Sequence, residues 1–367
     1  MDAVKLKNYE KIYLMKKKIV LITGSLGLVG AESVKFFCKK KFNVIGIDND
    51  MRKYFFGASV DKNKKDLQQR FKNYTHINVD IREKKKISKI FKDNSQKIDL
   101  IIHCAAQPSH DWAAKEPHTD FEINANGTLN LLKATLDFNP KAKFIFMSTN
   151  KVYGDTPNKF NFVEKMKRYS LDPKNKYSKY GISEELTIDQ SKHSLFGVSK
   201  ASADLMVQEF GRYYGIYTAI FRGGCLTGPL HQGAELHGFL SYLLNCNINK
   251  KKYYVKGYKG KQVRDNIHSS DLVSAFWNFY KKPRVAEVYN IGGGINSNCS
   301  LLEASEMMQN FSGNKTNLIF EKNHRQGDHK WWISDTRKFQ KHYPDWNPKY
   351  KITDIIEDMY KYSLKND

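Results

Sequence analysis

Near the start of the chain Ile19-Val20-Leu21-Ile22, a β-branched apolar strand, runs into Thr23-Gly24-Ser25-Leu26-Gly27-Leu28-Val29-Gly30. A helical pattern follows to Phe37, then a second strand over 42–47 that ends at Asp48. Strand, three evenly spaced glycines, helix, strand and acid in that order leave few folds open. The first glycine permits a tight turn, the second lets the backbone approach a pyrophosphate, and the third lets the helix pack closely on the strand. The order predicts that Gly24, Ser25, Leu26, Gly27, Leu28 and Gly30 cradle a dinucleotide at a helix N-terminus, with Asp48 and Asn49 at the adenosine ribose. A carboxylate there repels a 2′-phosphate, so NAD is expected rather than NADP. The alternative is three turn glycines and a surface aspartate.

Further apolar runs at 75–79, 100–103, 143–147 and 218–221 alternate with helical periodicity at 123–138 and 198–214. That alternation predicts an α/β protein: a doubly wound, mostly parallel Rossmann sheet covered on both faces. After Arg222 the pattern changes to Gly-rich connections, short strands at 253–255 and 288–291 and late helices at 301–311 and 352–364. Two parts are expected, a nucleotide-binding domain over 16–222 with returning segments from the later half, and a smaller C-terminal substrate lobe over 223–367. Asp80 and Ile81, after the third strand, suit adenine contacts, and Ala105 and Ala106, after the fourth, suit the cofactor.

The chain has 367 residues and a net charge of +23. Its lysines are scattered in runs no longer than three, outside any nucleic-acid module, so a solvated lysine surface is expected and no nucleic-acid partner. No run reaches the length of a membrane span, and the N-terminus lacks the apolar core of a secretory signal. The five cysteines, Cys38, Cys104, Cys225, Cys246 and Cys299, are far apart, with no paired spacing that would hold a metal. Reduced thiols, a cytoplasmic location and no metal are the expectation.

Ser148-Thr149-Asn150-Lys151-Val152-Tyr153-Gly154, the segment His193 to Lys200, Gln262-Val263-Arg264-Asp265 and Arg325-Gln326-Gly327-Asp328 extend the pattern along the chain. With the glycine motif they resemble the extended short-chain dehydrogenase/reductase family of nucleotide-sugar epimerases and dehydratases. Within it, the run from Ser148 to Asp155 is most similar to members that epimerise C2 of a CDP-activated hexose. The resemblance implies bound NAD, oxidation of a sugar hydroxyl to a ketone and return of hydride to the opposite face. It implies that Thr149 donates to the reacting oxygen and that Lys200 holds the nicotinamide ribose. It also implies a homodimer through the helices at 123–138 and 198–214. Gln107, Asn150, Lys151, Arg222, His237, Arg264, Arg325 and Asp328 are the expected substrate contacts, the arginines meeting a diphosphate. Related dehydratases place acids directly after the threonine, since elimination needs a general acid or base there; here Asn150 and Lys151 occupy those positions.

The family's tyrosine base stands four residues before the lysine, and this chain has Phe196 there. Of its 21 tyrosines only Tyr13 has a lysine, Lys17, at that spacing. Three readings stay open. His110 or Asp111 takes the proton, Lys200 and Thr149 act through water, or the protein binds NAD and a nucleotide sugar without turnover. A 4-epimerase or a dehydrogenase is a further alternative.

Overall fold

The structure, a computed structural model, describes residues 18–57, 59–231, 233, 235, 238–322 and 327–366. Seven parallel strands form the central sheet: β1 (Ile19–Thr23), β2 (Asn43–Ile47), β3 (Tyr74–Ile77), β4 (Ile98–His103), β5 (Lys143–Thr149), β6 (Thr218–Gly223) and β7 (Glu287–Ile291). Their order is β7-β6-β5-β4-β1-β2-β3. Every residue of β1 is buried, as a strand covered on both faces requires. Val20 and Ile22 pack with Val34, Phe37 and Phe276 on one side, and Leu21 packs with Ile101, Phe144 and Leu131 on the other. The chain leaves β1 toward β2 and β3, then returns to the other side of β1 at β4. This topological switch point opens a crevice at the C-terminal ends of β1 and β4.

The strand expected in the later lobe at 288–291 joins this sheet instead, as β7 beside β6. Another departure is the helix expected at 123–138. It opens with a π-helical turn, Glu122–Asn126, before α-helix Gly127–Phe138. Asn124, in the wide turn, donates to Gln107 O and Ser199 Oγ, each at 3.0 Å, and so ties this helix to helix Leu195–Tyr214.

Helices Phe239–Ile248, Leu301–Ser312 and Ile352–Asn366 and the parallel strand pair Lys252–Lys256 and Asn317–Glu321 make a second cluster around Leu243, Val255, Met308 and Ile356. Strand Val263–His268 bridges the parts: its first half lies between Asn298–Ser300 and Trp331–Trp332, and its second half pairs with Cys225–Thr227. Among the described residues no helix is long and apolar enough to cross a membrane, and the five cysteines form no disulfide.

On this bridging strand Asp265 is fully buried, its Oδ2 accepting from Ser334 N at 2.9 Å and Gly294 N at 3.2 Å. Burial pushes its carboxyl up to about 6. The folded protein therefore holds this proton more tightly than the unfolded chain. The contribution is complete below about pH 4 and is lost as pH rises through about 6, a change of about 3 kcal/mol. Denaturation midpoints between pH 4 and 7.5 should show that fall in the natural chain, and Asp265→Asn should flatten it.

Candidate active site

One cavity of about 490 Å³ lies along the crevice and passes under the second cluster. At one end Gly24, Leu26, Gly27, Leu28 and Gly30 line it together with Asp48, Asn49, Asp80 and Ile81. Gly24 has φ +65°, and a Cβ there would come within 2.7 Å of Ala105 N, so the turn needs glycine. Gly27, by contrast, is the N-cap of helix Leu28–Lys39, and no side chain caps that helix. Its first residues, Leu28 and Val29, line the cavity, and the N–H groups of a helix N-terminus make a ready anion site. Asp48 accepts from Leu26 N at 3.0 Å and Asp50 N at 2.9 Å, which fixes the carboxylate at the cavity wall. Burial raises its pKa, and these backbone bonds oppose the rise. Asp80 receives Arg82 and Asn49. Burial works against its charge, but Arg82 prevails and holds the carboxyl below its ordinary value. A cradle closed to side chains at Gly24 and Gly30, an uncapped helix N-terminus and a fixed carboxylate together fit NAD. Arg52, Phe55, Phe56 and Asn63 complete this end.

Toward the middle stand Ala105, Ala106, Met147, Thr149, Asn150, Lys151, His110, Phe196 and Lys200. Thr149 ends β5, and its Oγ1 accepts from Lys151 N at 3.2 Å, so its own proton is available to an acceptor. Lys200 is 3% exposed; its Nζ donates to Met147 O at 2.9 Å and stands 4.2 Å from the centroid of the Phe146 ring. Burial lowers its pKa to about 8, against the pull of Asp204. Phe196 lies one turn before it on the same helix, and among the described residues no tyrosine lines the cavity. Tyr153 is buried elsewhere, its hydroxyl between Arg222 and Asn290. Tyr13 and Lys17 lie outside the described residues.

At the far end Arg264 and Asp328 line the wall as an ion pair, and Lys151 Nζ lies 4.0 Å from the same carboxylate oxygen. Burial opposes the Asp328 charge, but Arg264 and Lys151 hold its pKa far below the usual range. Cys225 lines the same end with its thiol pushed up to about 12 by burial, which leaves it protonated and unreactive.

Several expected residues are elsewhere. Ser25 is buried off the cavity, its Oγ against Tyr74 Oη at 3.3 Å. Gln107 is buried too, its amide donating to Asp120 and to Ser109 O, so it supports the wall rather than forming it. Arg222 makes a two-point pair with Asp204 and donates to Tyr153 Oη, all buried. Asp111 is exposed and not among the lining residues. His237 and Arg325 lie outside the described residues. Arg52 and Asn63 were missed: Asn63 sits on helix Asp61–Arg70, where only Leu67 is buried and no periodicity marks an inward face.

The family model described as NAD dependent epimerase/dehydratase matches residues 20–292. A CDP-paratose 2-epimerase of Salmonella typhi is 29% identical over 94% of this chain and 98% of its own length. A human dTDP-D-glucose 4,6-dehydratase is 28% identical over 95% of this chain and 91% of its own. Among solved structures, that of UDP-glucuronic acid 4-epimerase from Bacillus cereus with UDP-glucuronic acid and NAD superposes with a TM-score of 0.76. It is 23% identical, and the match covers 95% of this chain and 100% of that one.

Proposed function

The chain belongs to the NAD-dependent epimerase/dehydratase family, and from that premise we propose that it is a 2-epimerase of a CDP-activated hexose. The observation that carries epimerisation over dehydration is the pair of residues directly after Thr149. Asn150 is buried, and Lys151 turns its Nζ to Gly327 O at 2.9 Å. Neither residue can act as the carboxyl acid or base that elimination of water calls for. The preference for CDP rests on the full-length likeness to the Salmonella typhi 2-epimerase.

NAD supplies a hydride acceptor that becomes the donor for the return step. Thr149 donates its hydroxyl proton to the reacting oxygen. Lys200 keeps a positive charge close to that oxygen and to the cofactor ribose, which favours release of the hydroxyl proton. Arg264, oriented by Asp328, and Lys151 attract the diphosphate. Holding the nucleotide firmly leaves the sugar free to present either face of its ketone. The unpaired cysteines fit a reducing, cytoplasmic setting.

Proton NMR of the purified protein with NAD and CDP-, UDP-, GDP- and dTDP-hexoses tests this reading. Inversion at C2 of CDP-paratose or CDP-glucose is expected. Inversion at another carbon, or steady release of NADH, would replace it with the 4-epimerase or the dehydrogenase.

The proposal includes a homodimer. Leu195, Val198 and Leu205 stand exposed on helix Leu195–Tyr214, and Phe121 and Leu129 stand exposed beside or on Gly127–Phe138. Two such helices from each copy would cover one another's apolar face. Leu205→Glu should weaken association by about 2 kcal/mol, roughly 30-fold. Light scattering across a concentration series checks it, and unchanged mass would exclude this face.

A further inference from the structure

An alcohol that gives up hydride must also give up its proton, and the Phe196 side chain cannot take it. Its ring meets the imidazole of His110 edge-on, with centroids 5.1 Å apart, and both line the cavity with Thr149 and Lys200. The imidazole is held on its other sides as well. Nδ1 lies 2.6 Å from Ser194 Oγ. A Cβ on Gly327, at φ +76°, would come within 3.0 Å of Cε1 and Nδ1, so the backbone there closes on the ring. Ser194 is also the N-cap of helix Leu195–Tyr214, accepting from Gly197 N at 3.1 Å. One hydroxyl thus fixes the imidazole and the start of the helix that carries Phe196 and Lys200.

With one lone pair taken by Gly197 N–H, that hydroxyl keeps a second lone pair and its own proton. It can accept from Nδ1–H or donate to bare Nδ1 by rotation of a single O–H bond. As acceptor it holds Nδ1–H in the neutral and in the protonated ring alike, which leaves Nε2 as the nitrogen that takes up a proton and returns it.

We propose that His110 is the acid–base group of this site and that Ser194 is its positioning residue, an inference that rests on the epimerase reading above. In the oxidation the sugar O–H bond breaks and its proton passes to Nε2 while Nδ1–H donates to Ser194 Oγ. The hydride on the same carbon leaves for the bound cofactor, and a carbonyl forms. In the return step the hydride adds to the opposite face, and the imidazolium gives its Nε2 proton back to the oxygen. Among the described residues, charged groups near the ring include Lys151 and Asp328, both at the Gly327 backbone, and Lys200 one turn beyond Phe196.

The test uses NAD-loaded protein with CDP-paratose followed by NMR across pH. His110→Asn should lower kcat by about 10²- to 10⁴-fold with KM changed by no more than about threefold. In the natural chain kcat/KM should rise with pH along one protonation limb, as a general base requires. Ser194→Asp keeps a helix cap but offers Nδ1 a carboxylate, so that limb should move to higher pH. Ser194→Ala should lose roughly 10- to 100-fold in kcat, and Ser194→Thr should restore most of it. A Ser194 that only capped the helix would change the yield of folded protein and leave the limb in place.

Retention of kcat in His110→Asn, an unmoved limb in Ser194→Asp, or a gain of orders of magnitude in Phe196→Tyr would each overturn the proposal. If no CDP-sugar turns over, the epimerase reading fails, and the pair is judged by the His110 ¹⁵N resonances with CDP-glucose added. A displaced titration supports contact with the sugar, and an unmoved one overturns it.

Discussion

Lys200→Met is expected to abolish turnover, by about 10³-fold or more, and at the same time to make the protein more stable near neutral pH. Both effects come from one buried charge. Burial lowers the ammonium to about 8, so between about pH 8 and 10.5 the folded protein binds fewer protons than the unfolded chain. Stability therefore rises with pH across that window. Below it the folded state bears the whole cost of a desolvated cation, up to about 3 kcal/mol. Methionine fills nearly the same volume without the charge, although Met147 O then loses its donor. The midpoint of denaturation at pH 7 should rise in Lys200→Met, and its pH dependence above 8 should flatten. In the natural chain, activity should fall as pH passes about 8 and the ammonium is lost. A variant that kept turnover would show that the charge is not used, and one that lost stability at pH 7 would show that it is not strained.

How far the site could be read in advance depended on whether a residue's direction is set locally. The glycine turn, Asp48 and the lysine one helical turn after Phe196 are fixed by neighbours within a few residues, and all of them line the cavity. Arg222 was misplaced because its direction is a property of the sheet. It pairs in register with Ser148, and both side chains donate to the Asp204 carboxylate, sharing its Oδ2, on the helix that covers that face. Thr149, the next residue, faces the other way and reaches the cavity, as the two-residue period of a strand demands. Gln107 follows two lining alanines in sequence, but Asp120 and Asn124 draw it inward. The hairpin of Phe162–Glu164 with Tyr169–Leu171 had no alternation to mark it. Strand β7 was visible as a strand, but its membership of the central sheet depends on a partner far back in the chain, Ile220 opposite Val288.

Gly30→Ala and Gly27→Ala should fail in different ways, and the contrast separates a nucleotide cradle from an ordinary glycine turn. A Cβ on Gly30 would lie 2.0 Å from Gly24 O and 2.7 Å from Gly24 C, both rigid backbone. Helix Leu28–Lys39 would have to move off the turn, taking Val34 and Phe37 out of the layer they share with β1. A loss of about 3 kcal/mol or more is expected, with NAD binding lost alongside it. At Gly27 the nearest atom to a Cβ is Gly24 O at 3.5 Å, an ordinary contact, and φ −74° with ψ 175° suits any residue. Gly27→Ala should therefore melt within about 1 kcal/mol of the natural chain, in line with a cap position that costs little in the folded protein. Its methyl would nevertheless occupy the approach to the helix N-terminus, where a pyrophosphate must come close to the backbone. NAD affinity should fall at least about tenfold while the fold stays intact, a loss of about 1.4 kcal/mol in binding alone. Thermal melts and fluorescence titration with NADH on both variants read the two effects separately. Equal affinity in Gly27→Ala and the natural chain would mean that the pyrophosphate does not sit on this turn, whatever the glycines do for the fold.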